Sequence, residues 1–196
     1  MIITVASHKG GVGKTTTAVH LAGFLQDLAP TLLIDGDPNR SATGWAKRGQ
    51  LPFRVIDERQ AAKFARDYQH VVIDTEARPE EEDLKSLADG CDLLIIPSCP
   101  DALSLDALMQ TTEALGKIGG RFKVLLTIIP PKPSKDGEEA RATLADCGLP
   151  LFAGGIRRLA AFQKAALAGV LIRSVDDPRA PLGWGDYRGV GEEVIR

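Results

Sequence analysis

The sequence predicts an α/β fold, a doubly wound and mostly parallel sheet with helices on both faces. Apolar, β-branched runs of strand length alternate along the chain with segments in which apolar residues recur at helical spacing. The first run, residues 1–6, leads directly into a glycine-rich segment at 8–16 that ends in lysine and two threonines. Two later runs end in aspartate, at Asp35 and Asp74. Parallel sheets bind ligands at the carboxyl ends of their strands, so a crevice is expected there.

Each predicted strand is a short apolar run bounded by turn or helix signals. After the first, the strands cover 31–35, 53–56, 71–75, 92–97, 123–130 and 149–152. Helices are predicted at 16–28, 41–48, 59–66, 79–88, 101–117, 137–147 and 156–169, followed by a packing helix that contains Trp184 and Tyr187. Gly169 is expected to cap the helix that it follows. Trp45 is expected to anchor the core.

Length and composition fit a single domain that spans residues 1–196. Hydrophobic residues make up 44% of the chain, and a net charge of -2 excludes an overall basic bias towards nucleic acid. Cys91, Cys99 and Cys147 form neither a CxxC pair nor a metal-binding spacing, which fits free thiols in a cytoplasmic protein. The apolar runs are strand-sized and the N-terminus is not signal-like, so no membrane partner is expected.

Residues 8–16 predict a phosphate-binding loop, because a buried strand precedes them and a helix follows. Glycines let backbone N–H groups approach phosphates, and the helix N-terminus adds a partial positive charge. Lys14 is placed to contact the β- and γ-phosphates, and the Thr15 hydroxyl to bind Mg²⁺. The nucleotide-binding candidates are Lys9, Gly10, Gly11, Val12, Gly13, Lys14, Thr15 and Thr16. A plain glycine turn between strand and helix is the alternative interpretation.

The run from Lys9 to Thr15 (KGGVGKT) resembles the deviant Walker A loop of the ParA/MinD family of P-loop ATPases, with His8 where the common loop has glycine. The likeness is greatest to small ParA-type partition ATPases, including the McdA group that positions carboxysomes. It implies Mg²⁺-dependent hydrolysis of ATP to ADP and phosphate, with Lys9, Lys14 and Asp37 in the catalytic machinery. It also implies an ATP-dependent homodimer in which Lys9 crosses a two-fold axis to the partner's phosphates.

The segment from Asp35 to Pro38 resembles the family's DxDP segment. The resemblance implies that Asp37 orients or activates the attacking water. It also implies that Asp35 lies nearer the metal and supports the residues that bind it. A helix cap is the alternative, because these residues precede the helix predicted at 41–48. Asp74 ends a Walker B strand and would hold the Mg²⁺ shell through a water. The metal candidates are therefore Thr15, Asp35 and Asp74.

Two further loops resemble the family less closely. Glu76 and Ala77 stand where relatives usually have proline or glycine, so the second switch is expected to move differently. Arg78 is either a charge that acts across the dimer or an ordinary solvated arginine. In relatives the loop after the 123–130 strand helps to enclose adenine, which makes Pro130 and Pro131 nucleotide-binding candidates.

The resemblance also implies partners: an adaptor protein, ParB-like or McdB-like, and nonspecific double-stranded DNA of the nucleoid. The cargo would be a plasmid, a chromosome or a protein compartment. The run 156–169 resembles a ParA segment, and the tail from Gly155 onwards has seven basic and five acidic residues. The DNA-binding candidates are Arg157, Arg158, Lys164 and Arg173. An ordinary solvated surface is the alternative.

Other classes within the same fold predict different functions. A MinD-like ATPase would act at a membrane surface, but no terminal run of basic and bulky apolar residues resembles the MinD membrane helix. A dethiobiotin-synthetase-like ligase would not explain Lys9 or the 156–169 segment. A redox ATPase like nitrogenase iron protein needs two cluster cysteines, and Cys99 has no evident second partner.

Overall fold

A computed structural model describes residues 1–7, 9–77, 81–109 and 121–196. Its centre is a sheet of six strands, all of whose pairings are parallel, in the order β3-β2-β4-β1-β5-β6. The strands are β1 Ile2–Ser7, β2 Thr31–Asp35, β3 Arg54–Asp57, β4 His70–Ala77, β5 Leu93–Ser98 and β6 Phe122–Leu126. The parallel, doubly wound sheet predicted from the sequence is confirmed.

Helices cover both faces of this sheet. They are α1 Lys14–Gln26, α2 Ser41–Arg48, α3 Ala61–Phe64, α4 Glu81–Asp89, α5 at 102–109, α6 Asp136–Asp146, α7 Ala160–Ala168 and α8 Ala180–Val194. Short 3₁₀ turns lie at Glu58–Gln60, Ala65–Asp67 and Ile172–Ser174. None of the helices in the described part of the chain has the length and apolarity that a bilayer crossing requires.

The central strand β1 shows why both faces are covered. Ile3 and Val5 point into a core formed with α1, α2, α7 and α8. Ala6 belongs instead to a second core, on the other face, together with residues of β5, α5 and α6. Successive side chains of a strand alternate between faces, so a strand that is apolar on both must be packed on both. β1 is therefore an interior strand that is covered on both faces, and its carboxyl end leads into the glycine-rich loop.

The C-terminal half departs from prediction where a helix is expected at 156–169. The helix predicted at 156–169 begins only at Ala160, because the chain at Ile156 pairs with the segment after β6. The N–H of Ile156 donates to the carbonyl of Leu126 at 2.8 Å, and the carbonyl of Ile156 accepts from the N–H of Ile129 at 3.0 Å. The first of these bonds uses an N–H that a helix N-terminus would leave unpaired, and the second uses a carbonyl that a helix would pair within itself. Gly169 ends the helix with a φ of 70°, which confirms the predicted cap.

Other boundaries shifted for local reasons. Regular pairing of β6 stops at Leu126, and Ile128 has a φ of 52°, outside the strand region. The strand predicted at 149–152 is reduced to one bridge between Leu151 and Val124. The helix predicted at 59–66 is divided between α3 and two 3₁₀ turns.

Residues 79–80 and 110–117 of two predicted helices lie outside the described residues. Trp45 is 3% exposed and anchors the core as predicted.

Candidate nucleotide-binding site

The glycine-rich loop joins the carboxyl end of β1 to the first residue of α1. Gly11 and Gly13 have φ values of 81° and 85°, in the left-handed region that residues with a Cβ rarely adopt. Thr127 holds the loop from behind, because its hydroxyl donates to the carbonyl of Val12 at 2.7 Å. The N–H of Thr127 donates to the carbonyl of Ser98 at 2.8 Å, which ties the loop to the end of β5. The loop is thus shaped by backbone conformation and by the buried hydroxyl of Thr127.

Lys14 brings three distant segments together at the end of the sheet. Its amine donates to Asp37 Oδ2 at 3.0 Å, to Asp74 Oδ1 at 3.4 Å and to the carbonyl of Thr75. Only 8% of the Lys14 side chain is exposed. The loop after β1, the end of β2 and the end of β4 therefore converge on one buried cation. A buried ammonium needs such partners, because its desolvation is costly without them.

Asp74 has the character of a metal ligand. Burial raises the pKa of its carboxyl group to about 6, although the Lys14 ammonium and the Thr15 hydroxyl oppose that rise. Its Oδ2 atom is buried and makes no hydrogen bond within the described residues. An anionic oxygen without a donor, beside a hydroxyl, is the donor set that Mg²⁺ prefers. Thr15 and Asp74 therefore fit a Mg²⁺ ion, and that they bind one stays a prediction.

The two aspartates after β2 have separate tasks. Asp35 accepts from the N–H of Asp37 at 3.3 Å and from the N–H of Thr43, in the first turn of α2, at 2.8 Å. Both of its oxygens are thus used to shape the turn and the helix start, which agrees with the cap interpretation. Asp37 faces the loop instead. Burial alone would raise its pKa, but hydrogen bonds from Asn39 and Lys14 outweigh that effect and hold the pKa below its ordinary value.

Two of the cavities that adjoin the loop share Gly11, Gly13, Thr16 and Ala166. The larger, about 650 Å³, is lined by loop residues, by Asp37 and by the start of α2. The smaller, about 350 Å³, is lined by Thr127, Ile128, Arg158, Phe162, Tyr187 and their neighbours. Pro130 and Pro131 line neither cavity, and Pro130 borders a separate one against α6. The residues that the fold places beside the loop are thus Thr127 and Ile128, which come shortly before these prolines.

Three of the four DNA-binding candidates are paired with carboxylates. Arg157 contacts both oxygens of Asp186 at 2.8–3.1 Å. Lys164 contacts Asp177 at 2.7 Å, and Arg173 contacts Asp27 through both of its terminal nitrogens. Arg158 is exposed, and it has no ion pair within the described residues. The charges of three of the four candidates are therefore compensated.

Lys9 lies at the rim of the larger cavity, but its amine contacts its own chain. It donates to Asp101 Oδ1 and to Ser104 Oγ, each at 2.9 Å. Sequence reasoning missed these two partners, as it missed Thr127. Polar residues ahead of a helix are ordinary cap residues, so no local pattern distinguishes them. His8 and Arg78 lie outside the described residues.

Comparison with known proteins places this geometry in context. Residues 3–172 match the model of the CobQ/CobB/MinD/ParA nucleotide binding domain. The chain is 36% identical over 203 residues to maintenance of carboxysome distribution protein A from Gloeobacter kilaueensis, covering all of this chain and 94% of the relative. Its fold resembles apo McdA from Cyanothece, with a TM-score of 0.75, 18% identity and coverage of 100% and 99% of the two chains. It also resembles MinD from Pyrococcus horikoshii complexed with Mg-ADP, with a TM-score of 0.73, 18% identity and coverage of 100% and 96%.

Proposed function

Because the chain belongs to the CobQ/CobB/MinD/ParA nucleotide-binding family, we propose that it is a ParA-type positioning ATPase. It binds ATP with Mg²⁺, dimerises on ATP, associates with nonspecific nucleoid DNA and moves a cargo. An adaptor protein, ParB-like or McdB-like, stimulates hydrolysis. The observation that carries this proposal is the convergence of Lys14, Asp37 and Asp74 at a glycine-rich loop that also contains Lys9. That arrangement supplies the groups that phosphoryl transfer to water requires.

Each residue has one task in hydrolysis. Lys14 would hold the β- and γ-phosphates, and Thr15 and Asp74 would hold Mg²⁺, which would supply positive charge against the phosphate oxygens. Asp37 accepts a hydrogen bond from the attacking water and aligns it with the γ-phosphorus. Its lowered pKa keeps it ionised at neutral pH but makes it a weak base, so its task is to orient the water. Asp35 shapes the segment that presents Asp37.

Adenosine binding is proposed for the smaller cavity. Thr127 and Ile128 lie beside the loop there, and Phe162 and Tyr187 provide apolar aromatic surface. Aromatic and aliphatic lining with a few polar groups is typical of sites for small organic ligands. Pro130 and Pro131 would then act by shaping the segment that follows Ile128.

The proposed cargo is a carboxysome or a similar protein compartment. The curated relative that matches the whole chain is named for carboxysome distribution. Plasmid or chromosome partition is the second candidate, because a 29% identical relative over 167 residues is named ParA. The two cargoes require the same ATPase cycle and differ in the adaptor.

DNA binding is proposed to use phosphate contacts alone. Arg158 is the candidate that needs no rearrangement, whereas Arg157, Lys164 and Arg173 would exchange a carboxylate for a phosphate. Dimerisation brings two such surfaces together, so DNA affinity should rise on ATP binding and fall with salt. Since no base is read, unrelated duplexes should bind alike.

The decisive experiment uses the variant Asp37→Ala, which should bind ATP without hydrolysing it. Light scattering should report a dimer with ATP and a monomer with ADP. Fluorescence anisotropy with an unrelated duplex should report DNA binding by the ATP dimer only. Arg158→Glu should weaken this binding, whereas the control Arg59→Glu should not.

Binding to anionic liposomes instead of DNA would favour a MinD-like membrane positioner. Release of ADP only when a small carboxylic acid or amine is added would favour a ligase.

A further inference from the structure

The amine of Lys9 is held by a closed set of hydrogen bonds at the start of α5. It donates to Asp101 Oδ1 and to Ser104 Oγ, each at 2.9 Å. The Ser104 hydroxyl donates in turn to Asp101 Oδ2 at 2.7 Å, and the Ser104 N–H donates to Asp101 Oδ1 at 3.0 Å. The serine hydroxyl donates once and accepts once, so all three groups are satisfied together. Lys9 is therefore directed at its own chain by two residues 92 and 95 positions away.

This contact lies at an accessible rim. The Lys9 side chain is 36% exposed and that of Asp101 50%, whereas Ser104 is 3% exposed and fixed within the fold. Leu103, between the two partners, is 72% exposed. An ion pair in such a setting is weak and exchanges readily, because solvent screens it. The same amine can therefore be transferred to a stronger anion when one is presented.

We infer that Asp101 and Ser104 are positioning residues that retain Lys9 within its own chain, and that dimerisation exchanges Asp101 for the nucleotide phosphates of a second copy. The inference rests on the proposed function and on the expectation from the family resemblance that Lys9 crosses the two-fold axis of the ATP dimer. One side chain cannot be directed at α5 of its own chain and at a partner at the same time. Each dimer must release two such contacts. The additional charge of a γ-phosphate favours this exchange with ATP over ADP.

The first test compares Asp101→Asn with Asp106→Asn. Asp106 is exposed on α5, the helix that Asp101 immediately precedes, so each variant loses one negative charge from this short segment. The probe is the non-hydrolysable analogue AMPPNP, and the dimer dissociation constant is measured by sedimentation. An exposed ion pair contributes about 1.4- to 5-fold, so loss of two should tighten the dimer by about 2- to 30-fold. Asp106→Asn should match the parent.

A second measurement detects the contact of the Lys9 amine with Asp101 and Ser104 in the monomer. The monomer without nucleotide is labelled briefly with an amine-reactive ester, and the labelling of Lys9 is compared with that of exposed Lys47 by mass spectrometry. The ratio should rise in Asp101→Asn and in Ser104→Ala and stay at the parental value in Asp106→Asn. Equal ratios in all four proteins would overturn the inference.

The outcomes separate this inference from the proposed function. If the parent and Asp106→Asn dimerise with AMPPNP and Asp101→Asn dimerises no more tightly, Asp101 does not compete for Lys9 and only the inference fails. A weaker Asp101→Asn dimer would also overturn it, since Asp101 would then support the interface. If the parent does not dimerise at all, the dimer step of the proposed function fails and the inference falls with it.

Discussion

Gly49 and Gly169 pack backbone against backbone where α2 and α7 end. A Cβ at Gly49 would lie 2.2 Å from the carbonyl oxygen of Ala168, and one at Gly169 would lie 2.2 Å from the nitrogen of Gly49. The indole of Trp45 on α2 donates to the carbonyl of Val170 at 3.1 Å and reinforces the contact. Since α2 follows the Asp37 segment and α7 lines the smaller cavity, this contact joins the two parts of the proposed nucleotide site.

Gly169→Ala should destabilise the protein strongly. The φ of 70° costs about 1–2 kcal/mol for an L-residue with a Cβ, and the clash with a neighbouring backbone adds about 1–3 kcal/mol. The free energy of unfolding, measured in urea, should fall by about 2–5 kcal/mol. The control is Gly189→Ala on α8, where a Cβ would meet no described residue within 4 Å apart from the backbone of its own helix. It should be neutral or stabilising by about 0.5–1 kcal/mol. Equal midpoints for both variants would contradict the backbone contact.

Lys14→Ala should abolish nucleotide binding. The substitution removes the cation on which the loop, Asp37 and Asp74 converge. Two charge-assisted hydrogen bonds to phosphate contribute about 3–6 kcal/mol, so affinity should fall at least about 100-fold. Calorimetric titration with ATP and Mg²⁺ measures this directly. Lys9→Ala is the matched control and should retain monomeric binding but lose ATP-dependent dimerisation. An unchanged affinity of Lys14→Ala for ATP would contradict the proposed contact between Lys14 and the phosphates.

Asp37→Ala should bind ATP and fail to hydrolyse it. Loss of a group that positions the attacking water typically costs about 10²–10⁴-fold in rate. Binding should persist because the loop, Lys14 and Asp74 are unaltered. Phosphate release at saturating ATP measures the rate, and titration on the same sample measures affinity. Turnover at the parental rate would show that another group orients the water.

His20 should make stability depend on pH. Its ring is fully buried and stacks on Tyr187, with the two ring centroids 4.9 Å apart. Its Nδ1 atom lies 2.8 Å from the carbonyl oxygen of Thr16, and its Nε2 atom accepts a hydrogen bond from the N–H of Ile172 at 3.0 Å. Burial, aided by the charge of Arg173, lowers its pKa to about 4 although the bond to Thr16 opposes this. The neutral tautomer satisfies both neighbours, whereas a proton on Nε2 would face the N–H of Ile172.

The direction of the pH effect follows from where the proton binds. Between about pH 6.5 and 4 the unfolded chain protonates His20 and the folded chain does not, so stability is complete above 6.5 and falls as pH decreases. The slope from this one group reaches about 1.4 kcal/mol per pH unit. Urea unfolding at several pH values should show the slope in the parent and a shallower one in His20→Gln. Identical slopes would mean that His20 titrates normally in the folded state.

The phosphate loop and most strands could be predicted from the sequence because their signals are local. An apolar β-branched run must be buried on both faces, and left-handed turns at Gly11 and Gly13 need glycine. Asp74 ends its run at a position that any parallel sheet would present at the crevice. Such features depend on neighbours within a few positions, so the chain needs no tertiary contact to reveal them.

Contacts between distant segments could not be predicted in this way. The sequence left open whether the aspartates after β2 cap a helix or serve the site; packing assigned Asp35 to the turn and Asp37 to Lys14. The sequence does not distinguish the basic residues of the tail from one another. Among the described residues, the fold places Arg157 beside Asp186 and places no carboxylate in an ion pair with Arg158.

The sequence by itself determined the fold class and the chemistry of the phosphate loop, because periodicity and glycine conformations are local properties. Only the tertiary structure decided what each charge contacts. Lys9 meets Asp101 because β1 and β5 are neighbours in the sheet, and Ile156 pairs beside β6 instead of starting a helix because an edge with free backbone groups lay within reach. Charges and unpaired backbone groups take the partners that packing brings near, and packing depends on the whole chain.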